Sequence, residues 1–112
     1  MNHLRNSVRL IGNLGANPEI KQFEKGNKMA RFSIATNEVY NDKEGKKVTD
    51  TQWHNVVAWG KSADLVEEFL TKGSEVAIEG KLTSRNYDSK EGDKKYITEI
   101  VLNEMLMLGK KS

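Results

Sequence analysis

Two tryptophans, Trp53 and Trp59, stand six residues apart in the segment Thr51-Gln-Trp-His-Asn-Val-Val-Ala-Trp-Gly-Lys61, and they are the only two in the chain. If this segment is a β-strand, alternation puts Trp53, Asn55, Val57 and Trp59 on one face and Val56 and Ala58 on the other. At a rise of ~3.3 Å per residue the two indoles are then roughly 20 Å apart. Val56 and Ala58 are the natural core-formers, which leaves two large aromatics for another task. Lys61 follows at once, and further cations recur on neighbouring segments. Aromatic faces interleaved with cations suit a flexible polyanion with flat, exposed bases: single-stranded nucleic acid. Two core tryptophans, or a subunit interface, would produce the same pattern, and the strand alone does not separate these readings.

Other chemistry is poorly served. His54 lies on the face opposite the tryptophans, where a hydrogen-bonded packing role is expected, and His3 has no second ligand at metal-like spacing. No metal or cofactor is therefore expected. Glu67 and Glu68 are adjacent on a predicted helix, so they do not face each other and read as a solvated pair. A nuclease or deaminase needs paired carboxylates on one strand edge or a metal cluster, and a non-enzyme is expected. Gly12-Asn-Leu-Gly15 lacks the Lys-Ser/Thr of a phosphate loop and does not open a helix. Nor does it join two helices as the Gly-x-x-Gly of KH domains does. No Asn/Gln/Arg cluster suggests reading of base edges, so sequence specificity should be low.

The elements that have to position these residues are mostly strands. Val8 to Gly12 is the first; Gly12–Pro18 breaks it, and Glu19 to Phe23 resumes extended structure. Glu24-Lys25-Gly26-Asn27 reads as a hairpin turn. Lys28 to Val39 alternates, with Phe32 and Ile34 inward and Arg31, Ser33 and Asn37 outward. Asn41 to Thr49 is expected as a polar loop carrying Lys43, Lys46 and Lys47. After the tryptophan strand comes one helix, with Ser62 as its cap, an apolar stripe of Leu65, Val66, Phe69 and Leu70, and Gly73 at its stop. Glu75 to Asp88 alternates again, with Val76, Ile78 and Leu82 on one side and Glu79, Lys81, Arg85 and Tyr87 on the other. Tyr96 to Leu102 is the last long strand, which Leu106 to Leu108 either extend or leave to cover the core.

Composition sets the limits. A chain of 112 residues suits one domain with a single core. The absence of cysteine excludes disulfides and thiolate metal sites and points to a reducing, cytoplasmic setting. No stretch approaches a membrane span, and the N-terminus lacks the apolar core of a signal peptide. Net charge is only +2, but residues 1–61 hold 10 Lys+Arg against 6 Asp+Glu and residues 62–112 hold 8 against 10. The basic excess thus accompanies the tryptophans.

Five strands with one helix between the third and fourth is the order of an OB-fold, an all-β, five-stranded Greek-key barrel. Four blocks add to this: Val8-Arg-Leu-Ile-Gly-Asn-Leu-Gly-Ala-Asn-Pro-Glu19, Phe32-Ser-Ile-Ala-Thr-Asn37, Gln52-Trp-His-Asn-Val-Val-Ala-Trp-Gly-Lys61 and Lys72-Gly-Ser-Glu-Val-Ala-Ile-Glu-Gly-Lys-Leu82. In this order and at these intervals they resemble the bacterial-type single-stranded DNA-binding proteins, the homo-oligomeric SSB family, from about residue 5 to residue 108. The resemblance implies base stacking at Tyr40, Trp53, Trp59 and Tyr87, and phosphate contacts at Lys43, Lys61, Lys72 and Arg85. Tyr40 and Tyr87 stand where many relatives carry tryptophan. Family members usually continue into a linker and an acidic tip that recruits other proteins. This sequence ends Leu108-Gly-Lys-Lys-Ser112, so residues 1–112 are expected to form one DNA-binding domain without that docking tail.

The function so implied is sequence-independent binding and protection of single-stranded DNA in replication, recombination and repair, by a nucleoid-associated homo-oligomer, a tetramer by resemblance. A primosome-type accessory protein, a dimer of the same fold acting through protein contacts, is the alternative. Weaker aromatics on the tryptophan strand would mark it. A cold-shock RNA chaperone would place its aromatics on two adjacent early strands. The first strand is apolar on both faces, with Val8 and Leu10 on one and Ile11 on the other. It is therefore expected to pair with a second subunit and remove an open sheet edge, with His54 at or near the contact.

Overall fold

Alternation along each strand builds the fold. In the computed structural model, which describes residues 5–88 and 90–110 and all their side chains except those of Arg85, Tyr87, Asp88 and Lys110, the elements are β1 (Val8–Leu14), β2 (Glu19–Gln22), β3 (Lys28–Asn41), β4 (Lys47–Trp59), α1 (Lys61–Phe69), β5 (Ser74–Asp88) and β6 (Lys94–Lys110). The sheet runs β1-β5-β6-β4-β3-β2, and an added β1–β3 pairing closes it. The ring therefore contains five strands (β1, β3, β4, β5 and β6), with β2 laid along the outside of β3. The helix falls between the third and fourth ring strands, as expected for an OB barrel. β4 meets β6 in parallel, and the other pairs are antiparallel.

Where the ring closes, a glycine lets two backbones meet. β1 pairs with β5 from Val8 to Asn13, and with β3 at Asn13↔Ala35 and Leu14↔Ile34. Where β1 passes from one neighbour to the other, a Cβ on Gly12 would sit 2.4 Å from the Ala35 carbonyl oxygen. Backbone approaches backbone too closely there for any side chain.

Inside the ring, the i, i+2 pairs Phe32/Ile34, Val56/Ala58, Val76/Ile78 and Ile100/Leu102 form the core, with Leu14, Val66 and Leu70. The helix presents Ala63, Val66 and Leu70 to this core, while Leu65 and Phe69 remain exposed. Only half of the expected apolar stripe is therefore buried. Residues at i, i+3 and i+7 share a line down the helix, whereas Leu65 and Phe69 lie to its side. Ser62 does not cap α1: Gly60 occupies the N-cap without a side-chain bond. α1 ends at Phe69, earlier than Gly73, whose N–H instead donates to the Leu14 carbonyl at 2.9 Å. Glu67 is not a merely solvated carboxylate. With Asp64 it holds Lys28 Nζ, the Asp64 contact being 3.0 Å, and so ties the helix to β3. The hydrogen bond to Glu67, then that to Asp64, raises the Lys28 pKa above its usual 10.5. The stability that Lys28 gains from this tie is present at neutral pH and is lost as pH rises through that elevated value.

Two further expectations are corrected and one open alternative is settled. The polar loop shrinks to residues 42–46, because Asp42 Oδ1 accepts the N–H groups of Glu44 at 2.9 Å and Lys46 at 2.8 Å, letting the ladder run to Asn41↔Lys47. β6 continues through Leu106–Leu108 to Lys110. Leu82 is 47% exposed although it pairs with the buried Ile100. Among the described residues no helix is long and apolar enough to cross a membrane, and no cluster of His, Cys, Asp and Glu is arranged to hold a metal.

Candidate nucleic-acid interface

Thirteen consecutive pairs between β3 and β4 set the face that carries the tryptophans. Ala35 stands opposite Trp53, Ser33 opposite Asn55, Arg31 opposite Val57 and Met29 opposite Trp59. Directly opposed residues share a face, so a row of small or polar groups separates the two indoles. Trp53 is 61% exposed and Trp59 is 49% exposed, while Val56 and Ala58 behind them are fully buried. That contrast removes the core reading of the tryptophans. Val57 shares their face but is buried, because β6 pairs against it at Val101 and the Arg31–Glu99 ion pair, 3.5 Å, bridges from β3 to β6 across β4.

Each tryptophan has its own support. The Trp59 ring stacks on Phe23, with centroids 6.1 Å apart and planes 24° from parallel. Phe23, itself exposed, was not singled out from the sequence. Its signal was a lone aromatic beside a turn in an otherwise polar stretch. The Trp53 indole lies against Gly15, where a Cβ would be 2.6 Å from Cζ3 and 2.7 Å from Cη2. Gly15 belongs to the turn between β1 and β2, whose Asn17 Oδ1 accepts the backbone N–H of Lys72 at 2.8 Å. The chain thus brings Lys72, from the far side of the helix, to the Trp53 end. Lys61 follows Trp59 at the other end.

Lys43, Lys61 and Lys72 are exposed, and no ion pair engages them among the described residues. Their charge is open to a polyanion, whereas that of Arg31 is met by Glu99. Tyr40 is 53% exposed but pairs with Val48, so strict alternation puts it on the side of the β3–β4 ladder opposite Trp53. It sits five residues further along β3 from Ala35, in a ribbon of two strands that twists more strongly than a wide sheet. The backbone positions of Arg85 and Tyr87 pair with Ile97 and Lys95, but their side chains lie outside the described ones. His54 is half-buried and hydrogen-bonded to Thr36 Oγ1 at 3.0 Å, as expected of a packing residue.

Comparison with known proteins agrees with this geometry. Residues 5–108 match the single-strand binding protein family. Single-stranded DNA-binding protein 1 of Xylella fastidiosa is 50% identical over 107 residues, covering 95% of this chain and 79% of that one. The single-stranded DNA-binding protein of Neisseria meningitidis serogroup A is 42% identical over 104 residues, covering 93% of this chain and 60% of its own. Among solved structures, a Plasmodium falciparum SSB complex with ssDNA superposes with a TM-score of 0.85 at 35% identity, over 92% of this chain and 94% of that one. With its OB barrel, its exposed tryptophan face and a match over nearly its whole length, the chain belongs to the single-strand binding protein family.

Proposed function

We propose that this chain binds single-stranded DNA with little regard to sequence, protecting exposed strands in replication, recombination and repair. It is a binding protein and not an enzyme. The observation that carries the reading is one face with two half-exposed indoles and, at either end, lysines that no ion pair engages among the described residues. Stacking on any base is worth ~1–3 kcal/mol and does not depend on base identity. Lysine contacts to phosphate add affinity that falls with salt. Trp53 and Trp59 are the stacking residues in this reading, extended by Tyr40 and Tyr87; Lys43, Lys61, Lys72 and Arg85 follow the backbone. Titration with oligo-dT should quench most of the intrinsic tryptophan emission at saturation. Unchanged emission at saturation would remove the tryptophans from the interface.

The two kinds of contact separate by their salt response. Lys61→Ala should weaken binding and flatten the dependence of log K on log salt by roughly one counterion. Trp59→Ala should leave that slope unchanged. Equal slope changes in both variants would overturn the assigned roles.

We further propose a homo-oligomer, a tetramer. Among the described residues β1 is unpaired along its second edge from Val8 to Gly12, and Ile11 and Leu106 are 60% and 64% exposed. These residues border an apolar cleft of about 560 Å³ over β1, β5 and β6. An open edge beside an apolar surface invites a second copy. Sedimentation should show no stable monomer at micromolar concentration, and Ile11→Glu should release one. A charged residue at His54 should loosen the assembly too. A wild-type monomer that binds DNA tightly would refute the assembly while leaving the DNA reading in place.

A further inference from the structure

We propose that Glu99 limits how tightly the tryptophan face holds a strand. It withholds the Arg31 cation, in the middle of that face, from phosphate, and an uncharged residue in its place would turn Arg31 into one more backbone contact. This rests on the single-stranded DNA reading above and goes beyond it, because it assigns a carboxylate whose effect on binding is negative.

Register puts Glu99 on the floor of this face. Arg31 pairs with Val57, which stands between the two indoles on β4, and β4 meets β6 at Val57↔Val101. Glu99 is two residues from Val101 along β6 and therefore points the same way. On β5, Lys81 pairs with Val101 and Thr83 with Glu99, so the exposed Lys81 shares the face as well. Across the sheet the carboxylate lies between Lys81 and Arg31. A buried acid thus sits among cations on the surface that has to attract a polyanion.

The two partners differ in what they can reach. The Glu99 side chain is 8% exposed and that of Arg31 is 33% exposed. Arg31 can meet a phosphate from outside, whereas Glu99 stays behind it. Their Nη2–Oε2 separation of 3.5 Å is too long for a good hydrogen bond. Arg31 Nε is buried without a hydrogen-bond partner among the described residues. Glu99 therefore offsets the charge of Arg31 without the two-pronged grip that makes guanidinium–carboxylate pairs strong. Stability is a poor reason for such a pair. Taking two charges out of water is costly, and apolar groups of the same volume often do as well or better.

For binding, the carboxylate has a calculable effect. Each cation that neutralises a phosphate of a single strand adds about 0.7 to the fall of log K with log salt. With Arg31 withheld, backbone contacts gather at the ends of the face, where Lys61 and Lys72 are exposed, and not between the indoles. Affinity is then lower than the scaffold allows. Differences among variants of one interface lie mostly in the rate of release, so Glu99 shortens the time a strand stays bound.

The test titrates labelled oligo-dT with the full chain at several salt concentrations. Glu99→Gln should steepen the salt slope by about 0.7, so that its advantage over the wild type grows roughly fivefold for each tenfold drop in salt. Release should be slower by a similar factor. Glu99→Thr, a residue suited to a strand, should steepen the slope equally, which ties the effect to the lost charge. Arg31→Gln/Glu99→Gln should return to the wild-type slope, because the released cation is then gone. Unchanged slopes in both single variants would make the pair structural and refute the inference, with the DNA reading intact. Failure of both to fold, read by circular dichroism, would do the same. A double variant about 0.7 shallower than the wild type would mean that Arg31 already meets phosphate. One as steep as Glu99→Gln would mean that the released charge is not that of Arg31. Either result overturns the inference. If wild-type protein does not bind oligo-dT, the DNA reading itself falls.

Discussion

Replacing both Trp53 and Trp59 by alanine should weaken oligo-dT binding by about 2–6 kcal/mol, roughly thirtyfold to beyond ten-thousandfold. Each indole offers one stacking contact worth ~1–3 kcal/mol. The two stand roughly 20 Å apart along β4, far enough for their effects to add within a few tenths of a kcal/mol. Neither substitution removes a cation, so the salt slope should stay that of the wild type. Stability should change little, because both side chains are about half exposed or more and the core lies on the opposite face of the strand. The two single variants need not be equal. Trp59→Ala also takes away the stacking partner of Phe23, whereas Trp53→Ala leaves Gly15 facing open space. Fluorescence anisotropy of labelled oligo-dT at several salt concentrations checks all of this. A double variant with wild-type affinity would return the tryptophans to a protein–protein role.

Gly12→Val should destabilise the fold by more than about 3 kcal/mol, a large part of the 5–15 kcal/mol that holds a domain of this kind together. The added Cβ meets the Ala35 carbonyl oxygen at 2.4 Å and its carbon at 3.1 Å. Both are backbone atoms of a central strand, so relief requires β1 to move away from β3. That movement opens the ring where β1 completes it. Urea unfolding followed by circular dichroism should show a sharply lower midpoint, and Gly12→Ala a smaller shift in the same direction. The contrast with Gly15→Ala is diagnostic, because the two glycines are three residues apart in one motif. At one the methyl group meets backbone and costs stability; at the other it meets a ring tip and costs binding. Comparable midpoints for Gly12→Val and Gly15→Ala would show that β1 does not close the barrel at this point.

Much of this was legible in the sequence because it is local. Strict alternation in Phe32/Ile34, Val56/Ala58 and Val76/Ile78 determined which faces are buried, and the same rule put Trp53 and Trp59 outside. The order of strands and the single helix after the tryptophan strand determined the barrel, and the four motif blocks determined the family. What the sequence left open depends on groups far apart in the chain. Helical periodicity proposed a stripe through Leu65 and Phe69, but the direction from which the barrel meets the helix selected Ala63, Val66 and Leu70. Alternation put Leu82 inward, yet in the folded chain it is 47% exposed. Phe23 against Trp59, Gly15 against Trp53, Asn17 holding Lys72 and Arg31 facing Glu99 all bring together separate segments. Backbone alternation specifies which way a side chain points. Only closure of the ring specifies what it then meets.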